Sequence, residues 1–174
     1  MSLPPIVVDA SAAIALIRRE PAWPAIAEVL RSSARDAERL LAPEAFWQEV
    51  VNVLVRRHGY SGAGVLEGIH TLETVGIETV EMDRPTLLSA IDLVERHGLT
   101  AYDAAYLALA HSLDADLLTA DRRLAAAAGA QAVLVGTEAG ISERQRAYEP
   151  RQPTWSAWPG AGAYLAQLRG SLSD

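Results

Sequence analysis

Short apolar runs alternate with longer segments of helical periodicity along most of the chain. The run Ile6-Val7-Val8 is β-branched and ends at Asp9, which is typical of a buried parallel strand. The segment 77–82 alternates apolar and polar residues, which also predicts a strand. Further strands are predicted at 40–42, 117–119 and 132–135.

Helices are predicted between these strands. The strongest pattern begins after Pro43 and ends near Gly59, because apolar residues recur there at helical spacing before a terminating glycine. A helix from Asp83 to Gly98 should direct four apolar side chains inward: Leu87, Leu88, Ile91 and Val94. Further helices are predicted at 11–19, from 23 onward, and at 61–75, 100–113 and 122–128. This alternation predicts an α/β fold of three layers, with about five parallel strands between helices.

The composition excludes several classes of protein. The 174 residues include no cysteine and no lysine, so all 15 basic residues are arginine. Disulfides, thiolate metal sites, P-loop lysines and Schiff bases are therefore absent. No apolar run is long enough for a membrane span and no basic leader is evident, so we expect a cytoplasmic protein. The net charge of −7 argues weakly against broad electrostatic binding to nucleic acid.

The composition changes after Gly136. Residues 137–174 contain no strand-like run but do contain Trp155 and Trp158, which stand among prolines. We therefore predict one domain over 1–136, followed by an appended, partly disordered extension over 137–174 rather than a second domain.

Two acidic residues fall at the ends of predicted strands. Asp9 ends the first strand, and Asp121 follows the strand at 117–119 by two residues. Ligands of open α/β sheets bind beyond the carboxyl ends of the strands. Either aspartate alone is equally explained as a helix N-cap.

Two more acids lie on helix faces that point toward the core. Glu49 lies beside the apolar stripe of its helix, and Asp103 shares a face with Leu107 and Ala110. A carboxylate at the margin of a core is costly unless something pairs with it. An arginine partner would explain Glu49, and a capping box with Thr100 would explain Asp103.

A single cause explains all four acids. If Asp9, Glu49, Asp103 and Asp121 converge, their oxygens suit a hard divalent cation such as Mg²⁺ or Mn²⁺. The four carboxylates would repel one another without a metal ion, so metal should stabilise the fold.

Four sequence blocks resemble the PIN-domain ribonucleases, most closely the toxins of VapBC toxin–antitoxin systems. The blocks are VVDAS at 7–11, PEAFWQEVVNVL at 43–54, LTAYDAAYLALA at 99–110 and LLTADRRL at 117–124. The resemblance spans residues 6 to about 135 and does not cover the extension. It implies a PIN-like three-layer fold in which Asp9, Glu49, Asp103 and Asp121 are the catalytic acids.

The implied chemistry is metal-assisted hydrolysis of RNA. By this resemblance Asp9 and Asp103 bind Mg²⁺ or Mn²⁺ directly, Glu49 and Asp121 bind directly or through water, and Thr119 and Ser11 support them. A homodimer and a small cognate antitoxin are also implied. Asp116 is an extra candidate ligand, but it precedes its strand.

Other interpretations remain open. Phosphatases of the haloacid dehalogenase type need D-x-D and a lysine, whereas this chain has D-A-S and no lysine. A PIN-like binding or scaffold module without nuclease activity and a stand-alone nuclease without an antitoxin are the remaining alternatives. Arg122 and Arg123 are predicted to contact RNA phosphates, although ordinary surface arginines near a helix end would look the same.

Overall fold

The computed structural model describes residues 3–135, which form seven α-helices around one five-stranded sheet. The strands are β1 (Ile6–Val8), β2 (Leu40–Pro43), β3 (Glu78–Val80), β4 (Asp116–Thr119) and β5 (Ala132–Leu134). The helices are α1 (Ala10–Ile17), α2 (Trp23–Asp36), α3 (Phe46–Arg56), α4 (Gly62–Val75), α5 (Arg84–His97), α6 (Ala101–Ser112) and α7 (Arg122–Ala128). The predicted α/β fold with five parallel strands is confirmed.

The order of the strands decides which loops meet. The sheet runs β3-β2-β1-β4-β5, and every neighbouring pair is parallel. The first strand along the chain is therefore central, and Val8 of β1 lies beside Leu118 of β4. Directly after this pair, the amide of Asp9 donates to the carbonyl of Leu118 at 2.9 Å. The residues that follow β1 and β4 are thus neighbours, although more than 100 positions separate them in the chain.

The centre of the sheet is covered on both faces. All residues of β1 and β2 are buried, which explains their uninterrupted apolar runs. On α1 the buried residues are mostly alanines, so this helix can approach the strands closely. α6 packs against β1, β2 and β4, and its Tyr106 is among the largest fully buried side chains.

The predicted inward face of α5 is wrong. Leu87, Leu88 and Ile91 are 53%, 56% and 52% exposed. The helix instead buries a stripe formed by Thr86, Ala90 and Leu93, while Val94 is half-buried against the core. Its main neighbour is α6 rather than the sheet, and one narrow stripe is enough to cover another helix. The second apolar side of α5 is left at the surface.

Some ends and segments also differ from the prediction. α3 ends at Arg56, and the Gly59 expected to terminate it lies three residues beyond, with a left-handed φ of +67°.

None of the helices in residues 3–135 is long and apolar enough to cross a membrane. The predictions for the extension over 137–174, including Trp155 and Trp158, lie outside the described residues.

Candidate active site

Asp9 occupies a buried position at the carboxyl end of β1. Its side chain is 2% exposed, although it stands at the N-cap position of α1 and makes no capping bond there. The hydroxyls of Ser11 and Thr119 instead both donate to its Oδ2, the Thr119 bond measuring 2.7 Å. Helix capping therefore does not account for Asp9.

Each of these two hydroxyls also accepts a hydrogen bond from the backbone that follows β4. Ser11 Oγ accepts from the amide of Ala120 at 3.0 Å, and Thr119 Oγ1 accepts from the amide of Asp121 at 2.9 Å. Each hydroxyl carries a single proton, and both protons are donated to the same oxygen of Asp9. The backbone after β4 therefore orients the two hydroxyls, and they in turn hold Asp9 Oδ2. Within residues 3–135, no donor is recorded for Asp9 Oδ1.

The surroundings of Asp9 disfavour its negative charge. Burial raises the pKa of Asp9 from 3.8 to about 7, and the two hydroxyls oppose that shift. The carboxylates of Glu49 and Asp103 raise the pKa further through their charge. The negative charge of Asp9 is therefore costly unless a proton or a cation offsets it.

Glu49 is held by a tyrosine that the sequence interpretation missed. Tyr106 of α6 donates its hydroxyl proton to Glu49 Oε2 at 2.8 Å. Burial raises the pKa of Glu49, the Tyr106 hydrogen bond lowers it, and the charge of Asp103 raises it. Tyr106 lies three positions after Asp103, so both project from neighbouring parts of one helix surface. That spacing was the available signal, but a tyrosine inside an apolar segment is usually part of a core.

Asp103 lies in the first turn of α6 and is half-buried. The hydroxyl of Thr100 donates to Asp103 Oδ2 at 2.8 Å, and the amide of Asp103 donates to Thr100 Oγ1 at 3.1 Å. The capping interaction foreseen for Thr100 and Asp103 is therefore present. It does not remove Asp103 from the acidic group, because the charge of Asp103 acts on both Asp9 and Glu49.

Asp121 is also a helix cap. Its Oδ1 accepts from the amides of Arg123 and Leu124 at 2.6 Å and 3.1 Å, which caps α7. Its own amide donates to Thr119 Oγ1, the same hydroxyl that binds Asp9. Asp121 is thus joined to Asp9 through Thr119.

The other candidate residues are less closely tied to these acids. Arg123 donates to the carbonyl of Gly98 at 2.8 Å and so links α7 to the C-terminal end of α5. Arg122 is exposed, and no ion pair is recorded for it among residues 3–135. Asp116 is the first residue of β4 and pairs with Ile6, so it lies at the opposite end of the strands from Asp9. It is therefore not part of the acidic group.

The four candidate acids have no basic side chain paired with them among residues 3–135. Within residues 3–135, the recorded ion pairs join other residues, and none involves Asp9, Glu49, Asp103 or Asp121. In that same range, no three acidic or histidine side chains are already close enough together to hold a metal ion. The donor set consists of carboxylate and hydroxyl oxygens, which fits Mg²⁺ or Mn²⁺ and does not fit a softer metal.

Comparison with known proteins identifies the family. The PIN domain model matches residues 6–130, which contain every element that carries these acids. The chain belongs to the PIN domain family.

Named relatives point to a particular group within that family. The chain is 33% identical over 124 residues to Ribonuclease VapC3 of Pyrobaculum aerophilum, covering 69% of this chain and 92% of that protein. It is 36% identical over 134 residues to Ribonuclease VapC9 of Mycobacterium tuberculosis, covering 72% and 93%. The resemblance to the VapC ribonucleases is therefore confirmed.

Solved structures support the fold. PAE2754 from Pyrobaculum aerophilum matches with a TM-score of 0.57 and 23% identity, covering 82% of this chain and 90% of that one. VapC20 of Mycobacterium tuberculosis, described as a sarcin-ricin loop cleaving toxin, matches with a TM-score of 0.57 and 16% identity, covering 72% and 97%. At these identities the likeness is one of architecture.

Proposed function

We propose that this chain is a metal-dependent ribonuclease of the VapC type, the toxin of a toxin–antitoxin pair. The main support for the proposal is the environment of Asp9. Its carboxylate is buried, two hydroxyls donate to one of its oxygens, and the charges of Glu49 and Asp103 act on it. Burial and like charges oppose the ionisation of Asp9 more than its two hydroxyl donors favour it, and such strongly perturbed carboxylates cluster at functional sites. The VapC relatives supply the reaction class, hydrolysis of RNA.

Asp9 and Asp103 are the proposed direct metal ligands, and Glu49 and Asp121 bind directly or through water. The chemistry that Mg²⁺ or Mn²⁺ supplies in such a site is a lowered pKa of bound water and neutralisation of phosphodiester charge. Ser11 and Thr119 support the site by donating to Asp9 Oδ2, which would leave Oδ1 as the oxygen available to a cation. A bound cation would also offset the repulsion among the acids.

RNA is the proposed substrate, and Arg122 is the first candidate for a phosphate contact because it is exposed at the start of α7. Arg123 uses part of its guanidinium on Gly98 and keeps further donors for a phosphate. A cognate antitoxin and a homodimer follow from the VapC resemblance and remain predictions, as does a cytoplasmic location.

The proposal is tested with the purified full chain, free of antitoxin, on a mixed RNA pool. We expect EDTA to stop cleavage and Mn²⁺ or Mg²⁺ to restore it. Asp9→Asn should lower the rate by about 1,000-fold, since metal-assisted stabilisation is worth several kcal/mol. Asp92→Asn is the matched control, because Asp92 is an exposed acid that pairs with Arg96 on α5.

Two results would overturn the proposal. If the wild-type chain cleaves no RNA at any metal concentration, a binding module becomes the better description. If cleavage survives both EDTA and Asp9→Asn, the activity resides elsewhere or does not use metal.

A further inference from the structure

We infer that Tyr106 is a positioning residue of the active site, which orients Glu49 and joins two of the elements that carry the acids. This inference rests on the proposed function and assigns a role to a side chain outside the four acids and their two supporting hydroxyls. The observation behind it is the bond from the Tyr106 hydroxyl to Glu49 Oε2, 2.8 Å long and made by a side chain that is 1% exposed.

Tyr106 connects the helix that carries Asp103 with the helix that carries Glu49. It projects from α6, three residues after Asp103, and its proton goes to Glu49 on α3. The backbone of Ala10, the residue that follows Asp9, also acts on this hydroxyl, since it lowers the pKa of Tyr106. The phenolic oxygen therefore binds α3 and is influenced by the start of α1, while its ring is buried in α6.

A buried tyrosine hydroxyl needs a hydrogen-bond partner, and here that partner is one of the four acids. The hydroxyl carries a single proton, which it donates to Glu49 Oε2. A donated proton at Oε2 restricts Glu49 to one orientation and leaves Oε1 as its other acceptor. Hydrogen-bond partners of this kind hold metal-binding carboxylates in position, and losing one typically weakens metal affinity or activity by about 10-fold to 100-fold.

The test is Tyr106→Phe, which keeps the buried ring and removes only the hydroxyl. We expect about 10-fold to 100-fold weaker Mn²⁺ binding, measured by titration calorimetry on the full chain. The apparent affinity for RNA at saturating metal should stay unchanged, and raised Mn²⁺ should restore cleavage. A tyrosine that only supports packing would lower the folded fraction without changing the Mn²⁺ affinity of the folded molecules.

Tyr60→Phe is the matched control, since Tyr60 is a half-buried tyrosine in the connection between α3 and α4. Its Mn²⁺ affinity and cleavage rate should equal those of the wild type. The inference is overturned if Tyr106→Phe binds Mn²⁺ as the wild type does. That failure differs from failure of the proposed function, in which the wild type itself cleaves no RNA.

Glu49→Asp provides a second variant in case Tyr106→Phe does not fold. It keeps the negative charge but withdraws the carboxylate from the hydroxyl by one methylene. We expect Mn²⁺ affinity to fall by about 10-fold or more. If Glu49→Asp binds Mn²⁺ as tightly as the wild type, then orientation by Tyr106 is unnecessary and the inference is wrong.

Discussion

A charged side chain is buried at the carboxyl edge of the sheet, whereas apolar side chains are exposed on the outer face of α5, which Leu87, Leu88 and Ile91 form. Asp9 is 2% exposed at the end of β1, whereas Leu88 is 56% exposed on α5. The difference arises from what surrounds each position. Strands and helices close over Asp9 from several sides, and two hydroxyls bind its carboxylate. α5 has α6 as its main neighbour and nothing among the described residues covers its other side.

The two regions differ in the kind of free-energy cost that each imposes on the folded chain. At the sheet edge, the cost is the electrostatic free energy of a buried negative charge, which a cation can remove. On α5, the cost is the hydration of apolar side chains, which is ordinary at a protein surface. Function is therefore to be sought at the sheet edge.

The largest expected effect is a pH-dependent loss of stability caused by Asp9. Its pKa is raised to about 7 in the folded chain, so the folded state binds more protons than the unfolded state between about pH 4 and 7. The free energy of unfolding should therefore fall as pH rises through that window, by up to about 4 kcal/mol. Urea unfolding in EDTA at pH 4.5 and 8, compared with Asp9→Asn, isolates this contribution.

Asp9→Asn should be more stable than the wild type at pH 8 in EDTA, and the difference should shrink at pH 4.5. Excess Mg²⁺ should also shrink it, because the cation offsets the charge. If the free energy of unfolding of both proteins changed with pH in the same way, the raised pKa assigned to Asp9 would be wrong.

A smaller effect is expected for Thr119→Val, which removes one donor to Asp9 and the acceptor of the Asp121 amide. We expect Mg²⁺ affinity to weaken by about 10-fold to 100-fold, since a hydrogen bond to a charged group contributes about 1.5–3 kcal/mol. Thr71→Val is the control, because the Thr71 hydroxyl only bonds to the carbonyl of Glu67 in its own helix. Equal Mg²⁺ affinities for the two variants would show that Thr119 does not support Asp9.

Arg123 connects the two regions, because it extends from α7 to Gly98 at the end of α5. Arg123→Ala should lower the free energy of unfolding by about 0.5–1.5 kcal/mol through loss of this hydrogen bond. Arg122→Ala should leave stability unchanged and reduce the salt dependence of RNA binding by about one unit of slope. If neither variant changes RNA affinity or its salt dependence, the proposed phosphate contacts are wrong.

The smallest effect is expected on the outer face of α5. Leu88→Gln should change the free energy of unfolding by less than about 0.5 kcal/mol, as is usual for exposed positions. Leu93→Ala, on the buried stripe of the same helix, should cost about 2–5 kcal/mol. Thermal and urea unfolding of the two variants would reveal any hidden burial of Leu88, since a large loss for Leu88→Gln would contradict its exposure.

The local pattern of the sequence was enough for the fold class and for most elements. Runs such as Ile6-Val7-Val8 are readable because a strand buried on both faces is apolar at every position. The same logic identified Glu49 as an acid beside a buried stripe. The pattern was insufficient for α5, where apolar residues occur on more than one side and only the neighbouring helix decides which side is covered.

The local pattern predicts an α/β domain with acids at the ends of strands and at the margins of helices. It does not predict that Thr119 and Ser11 bind one oxygen of Asp9, that Tyr106 binds Glu49, or that Asp116 lies at the far end of the strands. Helical and strand periodicity are local, whereas hydrogen bonds and charge interactions depend on which strands become neighbours. The order β3-β2-β1-β4-β5 makes β1 and β4 neighbours, and the arrangement of the acids follows from it.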